Sequence, residues 1–156
     1  MNLSIFKLFK TLFLGTIFLL ILSCKSDPIN NILKRNNELT GRMVDEETKF
    51  LGAFIINDNF YYKYSVNTCK ENLTDFEKRL FEKLMVENLN SSINILEEFK
   101  TLGENDYTII FQYICDNGNM ITDIKYKFVN GSFEYLASDS EWDDTLDLLI
   151  NNSKNE

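Results

Sequence analysis

The sequence predicts an α+β two-layer sandwich. Its sheet is mostly antiparallel, with about five strands, and one face carries a long helix that bends or restarts midway; a short C-terminal helix completes the fold. Three observations predict this. Residues 50–56 and the Tyr-rich 60–66 are strand-like runs, and apolar residues alternate with polar ones over 107–113 and 120–129, the period of a half-buried strand. Between these stretches, Phe76, Leu80, Leu84 and Phe81, Met85, Leu89 repeat at helical spacing. Asn-Asp and Asn-Gly pairs separate the strand runs where hairpin turns belong.

Each element has its own signal. Phe50 to Ile56 and the Tyr-rich run Phe60 to Val66 flank Asn57-Asp58-Asn59, a hairpin. Thr74-Asp75-Phe76-Glu77 is a capping box: the Thr side chain caps the N–H of the residue three places on, and the Glu reaches back. The polar stretch Asn88 to Ser92 interrupts the helix, which restarts through Ile93, Leu96 and Phe99 and stops at Gly103. Tyr107 to Cys115, Met120 to Val129 and Phe133 to Leu136 form a meander, with a type I′ turn expected at Asn117-Gly118 and a second hairpin turn at Asn130-Gly131. Ser140 caps the terminal helix, whose apolar face is Trp142, Leu146, Leu149 and Ile150. The second and third strands are joined through the helix, so as neighbours they run parallel with a right-handed crossover. Their C-terminal ends then lie together, near Cys69 and Cys115.

Composition narrows the chemistry. The 156 residues contain no His, which removes the imidazole base and His-ligated metal sites from consideration. Sixteen basic side chains against 24 acidic ones give a net charge of −8, unsuited to binding a phosphate backbone, so no nucleic-acid partner is expected. No Gly-rich phosphate loop is present, and no cofactor is expected. Asp139-x-Glu141-x-Asp143 imitates the start of a calcium loop, but Asp144 and Ile150 stand where Gly and Glu are needed, so no metal is expected. Asp45, Glu46 and Glu47 read as a solvated turn rather than as paired catalytic carboxylates.

The N-terminus carries an address. Lys7 and Lys10 precede an apolar run from Leu12 to Leu22, too short to span a bilayer permanently and built like an export signal. Ile21-Leu22-Ser23-Cys24 resembles the bacterial lipobox, which implies cleavage after Ser23 and acylation of Cys24. The organisation expected is therefore a lipoprotein signal peptide over 1–23, a lipidated tether over 24–42 containing a short helix opened by Asp27-Pro28, and one α+β domain over 43–152. The mature chain would keep 133 residues with 14 basic and 24 acidic side chains, a net of −10. No Asp follows Cys24, which favours the outer membrane over the inner. Cys69 and Cys115 then remain as an even pair in an oxidising compartment, where a disulfide is expected; buried free thiols are the alternative. Closing that 46-residue loop would stabilise the fold by about 4 kcal/mol. A redox couple lacks support, since no Cys-x-x-Cys spacing is present.

Met43-Val44-Asp45-Glu46-Glu47-Thr48, the Tyr-rich strand Phe60 to Asn67, the strand Tyr107 to Tyr113 and Asn117-Gly118-Asn119 resemble a group of small, uncharacterised exported bacterial α+β domains. The resemblance covers roughly Met43 to Phe128 and implies the fold and envelope setting, but no activity and no site residues. Tyr61, Tyr62, Tyr64, Tyr107 and Tyr113 combine apolar area with hydroxyls and are the candidate contact surface for an envelope protein or glycan. The function expected is a non-enzymatic cell-envelope lipoprotein acting as a binding module, held on the membrane by lipid at Cys24. The alternative is an immunity or inhibitor protein whose acidic surface neutralises a basic toxin or enzyme. An enzyme built on carboxylates or Tyr is the weakest expectation.

Overall fold

A computed structural model describes residues 27–67 and 73–136. It contains helix α1 (Pro28–Asn37), strands β1 (Thr48–Ile56) and β2 (Asn59–Val66), helices α2 (Asp75–Asn90) and α3 (Glu97–Glu104), and strands β3 (Thr108–Cys115), β4 (Met120–Val129) and β5 (Ser132–Leu136). The strands form one open sheet in the order β1-β2-β3-β4-β5. All neighbours are antiparallel except β2 and β3, which run parallel because the helical segment connects them. This is the α+β class expected, with three helices on the sheet among the described residues. The register Val66↔Cys115 brings the C-terminal ends of β2 and β3 together, as the crossover argument requires. Cys115 is buried there and disulfide-bonded, with its partner cysteine outside the described residues. Cys24, Cys69 and the expected terminal helix from Ser140 also lie outside them.

Local chemistry accounts for the boundaries. Thr74 and Glu77 form the capping box at the start of α2, with Thr74 Oγ1 accepting the Glu77 N–H at 3.2 Å and Glu77 Oε2 accepting the Thr74 N–H at 2.8 Å. Asn130 and Gly131 both take positive φ, so the hairpin turn expected between β4 and β5 is of the primed kind. The β3–β4 turn differs. Asn117 stays out of the left-handed region, only Gly118 enters it, and Asn117 Oδ1 instead accepts the Asn119 N–H at 2.9 Å. A register shift after Tyr113 absorbs the longer loop.

The core lies between the sheet and the helices. Phe60, Phe111, Ile109, Ile124 and Tyr126 point up from the strands, and Ile29, Ile32, Val86, Ile93, Phe99 and Leu102 point down from the helical layer. Ile29 and Ile32 correct the expected tether. Residues 28–37 look polar in composition, but their apolar positions fall on one helical face, and burying that face fixes α1 on the sheet. The following segment then covers the outer edge of β1. Gly41 N–H and Arg42 C=O bond to Phe50, Val44 N–H bonds to Thr48 C=O, and the Asn37 amide bonds both backbone groups of Ala53 at 2.8 and 3.0 Å. At the opposite edge Asn94 Oδ1 accepts the Phe133 N–H at 2.7 Å. An Asn from the helical layer thus satisfies each edge strand, an arrangement that blunts edge-to-edge association. Asp27 Oδ1 caps α1, and the packed structure among the described residues therefore takes in residues 28–42 as well as those from 43 onward.

Gly103 is a second correction. It sits inside α3 rather than beyond it, and a Cβ there would lie 2.6 Å from Phe128 and 2.8 Å from Phe133. The residue is small because the helix rests directly on β4 and β5. Gly103→Ala is expected to destabilise the fold by about 1–3 kcal/mol through overpacking, despite the higher helix propensity of Ala. A lowered urea midpoint with unchanged slope would register it, whereas an unchanged or raised midpoint would contradict the packing described.

Candidate functional site

A groove of about 620 Å³ opens where α1, the segment after it and α3 meet over β1 and β2. Phe50, Tyr62, Tyr64 and Phe99 form its floor, while Leu39, Met43, Val44 and Leu96 stand partly in solvent at its lips. Four of the ten large apolar side chains exposed among the described residues are gathered here, the sort of clustering that marks a binding surface.

One carboxylate organises the polar part. Glu98 Oε1 accepts the Tyr62 hydroxyl at 2.5 Å and the Asn36 amide at 2.8 Å, and Glu98 Oε2 accepts Arg35 at 2.6 Å. Asn36 also donates to the Ile32 carbonyl, which keeps its amide turned into the site. Arg35 is largely exposed, so its ion pair alone contributes little; the part-buried bond to Tyr62 ties α3 to β2 and the part-buried bond to Asn36 ties it to α1. Burial raises the Tyr62 pKa well above the ordinary tyrosine range, and the neighbouring Glu98 charge and its hydrogen bond add to the effect. The hydroxyl therefore stays protonated and donates. With three donors on its two oxygens, Glu98 acts as a structural acceptor at the base of the groove.

The five candidate tyrosines do not share a face. Tyr62 and Tyr64 lie in the groove floor, Tyr62 almost fully buried. Tyr113 is also buried, stacked on Tyr64 at 5.1 Å and under Phe81 at 5.2 Å, and does not line the groove. Tyr61 projects from the opposite side of the sheet, stacked on Phe54 at 4.8 Å. Tyr107 precedes β3 and meets Phe60 edge-on at 6.5 Å. A continuous Tyr surface is thus excluded by the strand period, which sends Tyr61 and Tyr62 to opposite faces. The sequence reading missed Arg35, Asn36, Arg42 and Glu98. Arg35 and Glu98 are 63 residues apart, and only the fold joins them. Asp45 behaves as expected of a turn residue. Although its slight burial acts to raise the pKa, N–H bonds from Glu47 and Thr48 outweigh it and hold the carboxyl below the usual range. No cluster of Cys, Asp or Glu among the described residues is arranged to hold a metal ion, and no described helix is long and apolar enough to cross a membrane.

The sequence matches no protein-family model and no curated protein. A solved structure, that of a "putative secreted protein" from Pseudomonas aeruginosa, is similar in fold with a TM-score of 0.52. The likeness covers 64% of this chain and 85% of that one at 12% sequence identity, so what the two share is the fold.

Two outcomes follow from the site. Glu98→Ala leaves the Tyr62 hydroxyl and Asn36 amide without their acceptor and is expected to cost about 2–4 kcal/mol in urea unfolding; a loss under about 0.5 kcal/mol would contradict the role assigned to Glu98. Burial also raises the pKa values of Tyr64 and Tyr113, and pushes Tyr126 up to about 12 from 10.0. A raised folded-state pKa gives stability that is complete below pH 10 and is lost as pH climbs towards 12 and beyond. Tyrosinate absorbance from these rings should therefore rise together with loss of circular dichroism above pH 10, whereas full ionisation of a still-folded protein would contradict their burial.

Proposed function

We propose that this chain is an exported lipoprotein of the bacterial cell envelope, acylated at Cys24, that works as a non-enzymatic binding module through the groove between α1 and α3. The observation that carries the reading is the export signal, Lys7 and Lys10 before Leu12 to Leu22, ending in the lipobox-like Ile21-Leu22-Ser23-Cys24 just ahead of helix α1, which starts at Pro28. Two or more acyl chains hold a protein on a membrane stably, each buried methylene contributing about 0.8 kcal/mol. The secreted naming of the Pseudomonas aeruginosa neighbour is consistent with an exported fold of this kind. Residue 25 is Lys and not Asp, which favours the outer membrane.

In this reading Cys69 and Cys115 are the structural disulfide that closes the β2–β3 end, opposite in role to the lipidated Cys24. The groove supports binding by its size, which falls in the range of small-ligand sites, and by its apolar lips around a polar base. Intact mass and membrane fractionation of the natively expressed protein test the proposal. The wild type should lose residues 1–23, gain acyl mass and sediment with membranes, while Cys24→Ala should be soluble or unprocessed. A soluble, unacylated wild type would overturn it.

A further inference from the structure

We infer that the groove holds one acyl chain of a zwitterionic phospholipid drawn from the membrane on which Cys24 is anchored; this deepens, and rests on, the lipoprotein reading. Reach is the first support. Only Lys25, Ser26 and Asp27 separate Cys24 from the start of α1, so those four residue steps span about 14 Å at most. The rise of α1 from Pro28 to Asn36 adds about 12 Å. The groove mouth therefore stays within about 26 Å of the anchored residue, less than the thickness of one bilayer core of about 30 Å. A long tether would have let the domain diffuse away from the lipid surface; the packed α1 prevents this.

The lining supplies the rest. Leu39, Met43, Val44 and Leu96 offer apolar lips over an aromatic floor, suited to a flexible hydrocarbon chain. Arg35 and Glu98 satisfy each other, whereas Arg42 and Glu97, both exposed in the groove wall, make no side-chain hydrogen bond or ion pair among the described residues. One free guanidinium and one free carboxylate beside an apolar slot complement the phosphate and the ammonium of a zwitterionic head group. An anionic head group would meet Glu97 with no compensating cation of its own.

The test feeds cells expressing the full chain a phosphatidylethanolamine with a photoactivatable acyl chain and maps the labelled peptides. Label is expected on the segments carrying Leu39 to Val44 and Leu96 to Phe99, reduced about tenfold by Val44→Lys or Leu96→Lys, the equivalent of about 1.4 kcal/mol. Ile95→Lys, a site 77% exposed and outside the groove lining, should leave labelling unchanged, and a phosphatidylglycerol probe should label the groove less. Label confined to segments outside the groove lining, equal loss in Ile95→Lys, or stronger labelling by phosphatidylglycerol would each overturn the inference. Should the wild type prove unacylated and soluble, the lipoprotein reading fails separately. The purified chain is then exposed to lysophosphatidylethanolamine carrying the same photoactivatable group, where groove labelling sustains the lipid site and its absence overturns it.

Discussion

The structure depends on a layer of aromatic rings whose polar tips must find partners beneath the helices. Tyr62 stacks on Phe111 and meets Phe99 edge-on, Phe111 meets Tyr126, and Tyr126 continues to Tyr135. These rings bury large apolar areas, yet each Tyr brings a hydroxyl that is costly to desolvate unpaired. The helical layer answers each one. Glu98 on α3 takes Tyr62, Asn90 on α2 takes Tyr126 at 2.9 Å, and Glu82 on α2 takes Tyr135. No buried side-chain polar atom among the described residues lacks a partner. The hydroxyls therefore act as pins that fix where each helix sits, which apolar packing alone specifies less sharply.

The groove is a consequence of that pinning. Glu98 draws α3 towards Tyr62, and through Asn36 and Arg35 it draws the C-terminal half of α1 to the same point. The chain leaving α1 is committed to covering the edge of β1 through Asn37, Gly41 and Arg42, so it crosses beside α3 without closing over the floor. Apolar side chains of that crossing segment, Met43 and Val44, are left exposed and line the groove together with Leu96. The features that seal a sheet edge thus also shape a binding surface. They bring the folded unit within a few residues of Cys24, so domain and anchor are mechanically one object in the lipoprotein reading.

Strands and turns were legible because their signals are local: the period of two, Asn-Gly pairs and the Thr74–Glu77 capping box all act within a few residues. The helix break near Ser92 was legible for the same reason, since α2 ends at Asn90 and α3 begins at Glu97. Residues 28–40 were misread because Asn and Lys dominate their composition, while the three positions that matter, Ile29, Ile32 and Asn36, carry their information in spacing. Gly103 was misread because a helix-stopping Gly and a Gly of close approach look alike in sequence; only Phe128 and Phe133, met through the fold, distinguish them. For the site, the tyrosines were found but assigned to one surface, although Tyr61 and Tyr62 must diverge. Arg35 and Glu98 carried no signal, because their meeting depends on the whole β1–β2–α2 segment lying between them.

Residue-resolved hydrogen exchange across α1 tests the central claim most directly, because that helix joins the anchor, the sheet edge and the groove. The account predicts that the amides of Ile32 to Asn37 are protected to a degree comparable with β2 and β3, opening with the core. Exchange of those amides at the rate of an unstructured chain, with the strands still protected, would make residues 28–40 a tether after all and would remove one wall of the groove.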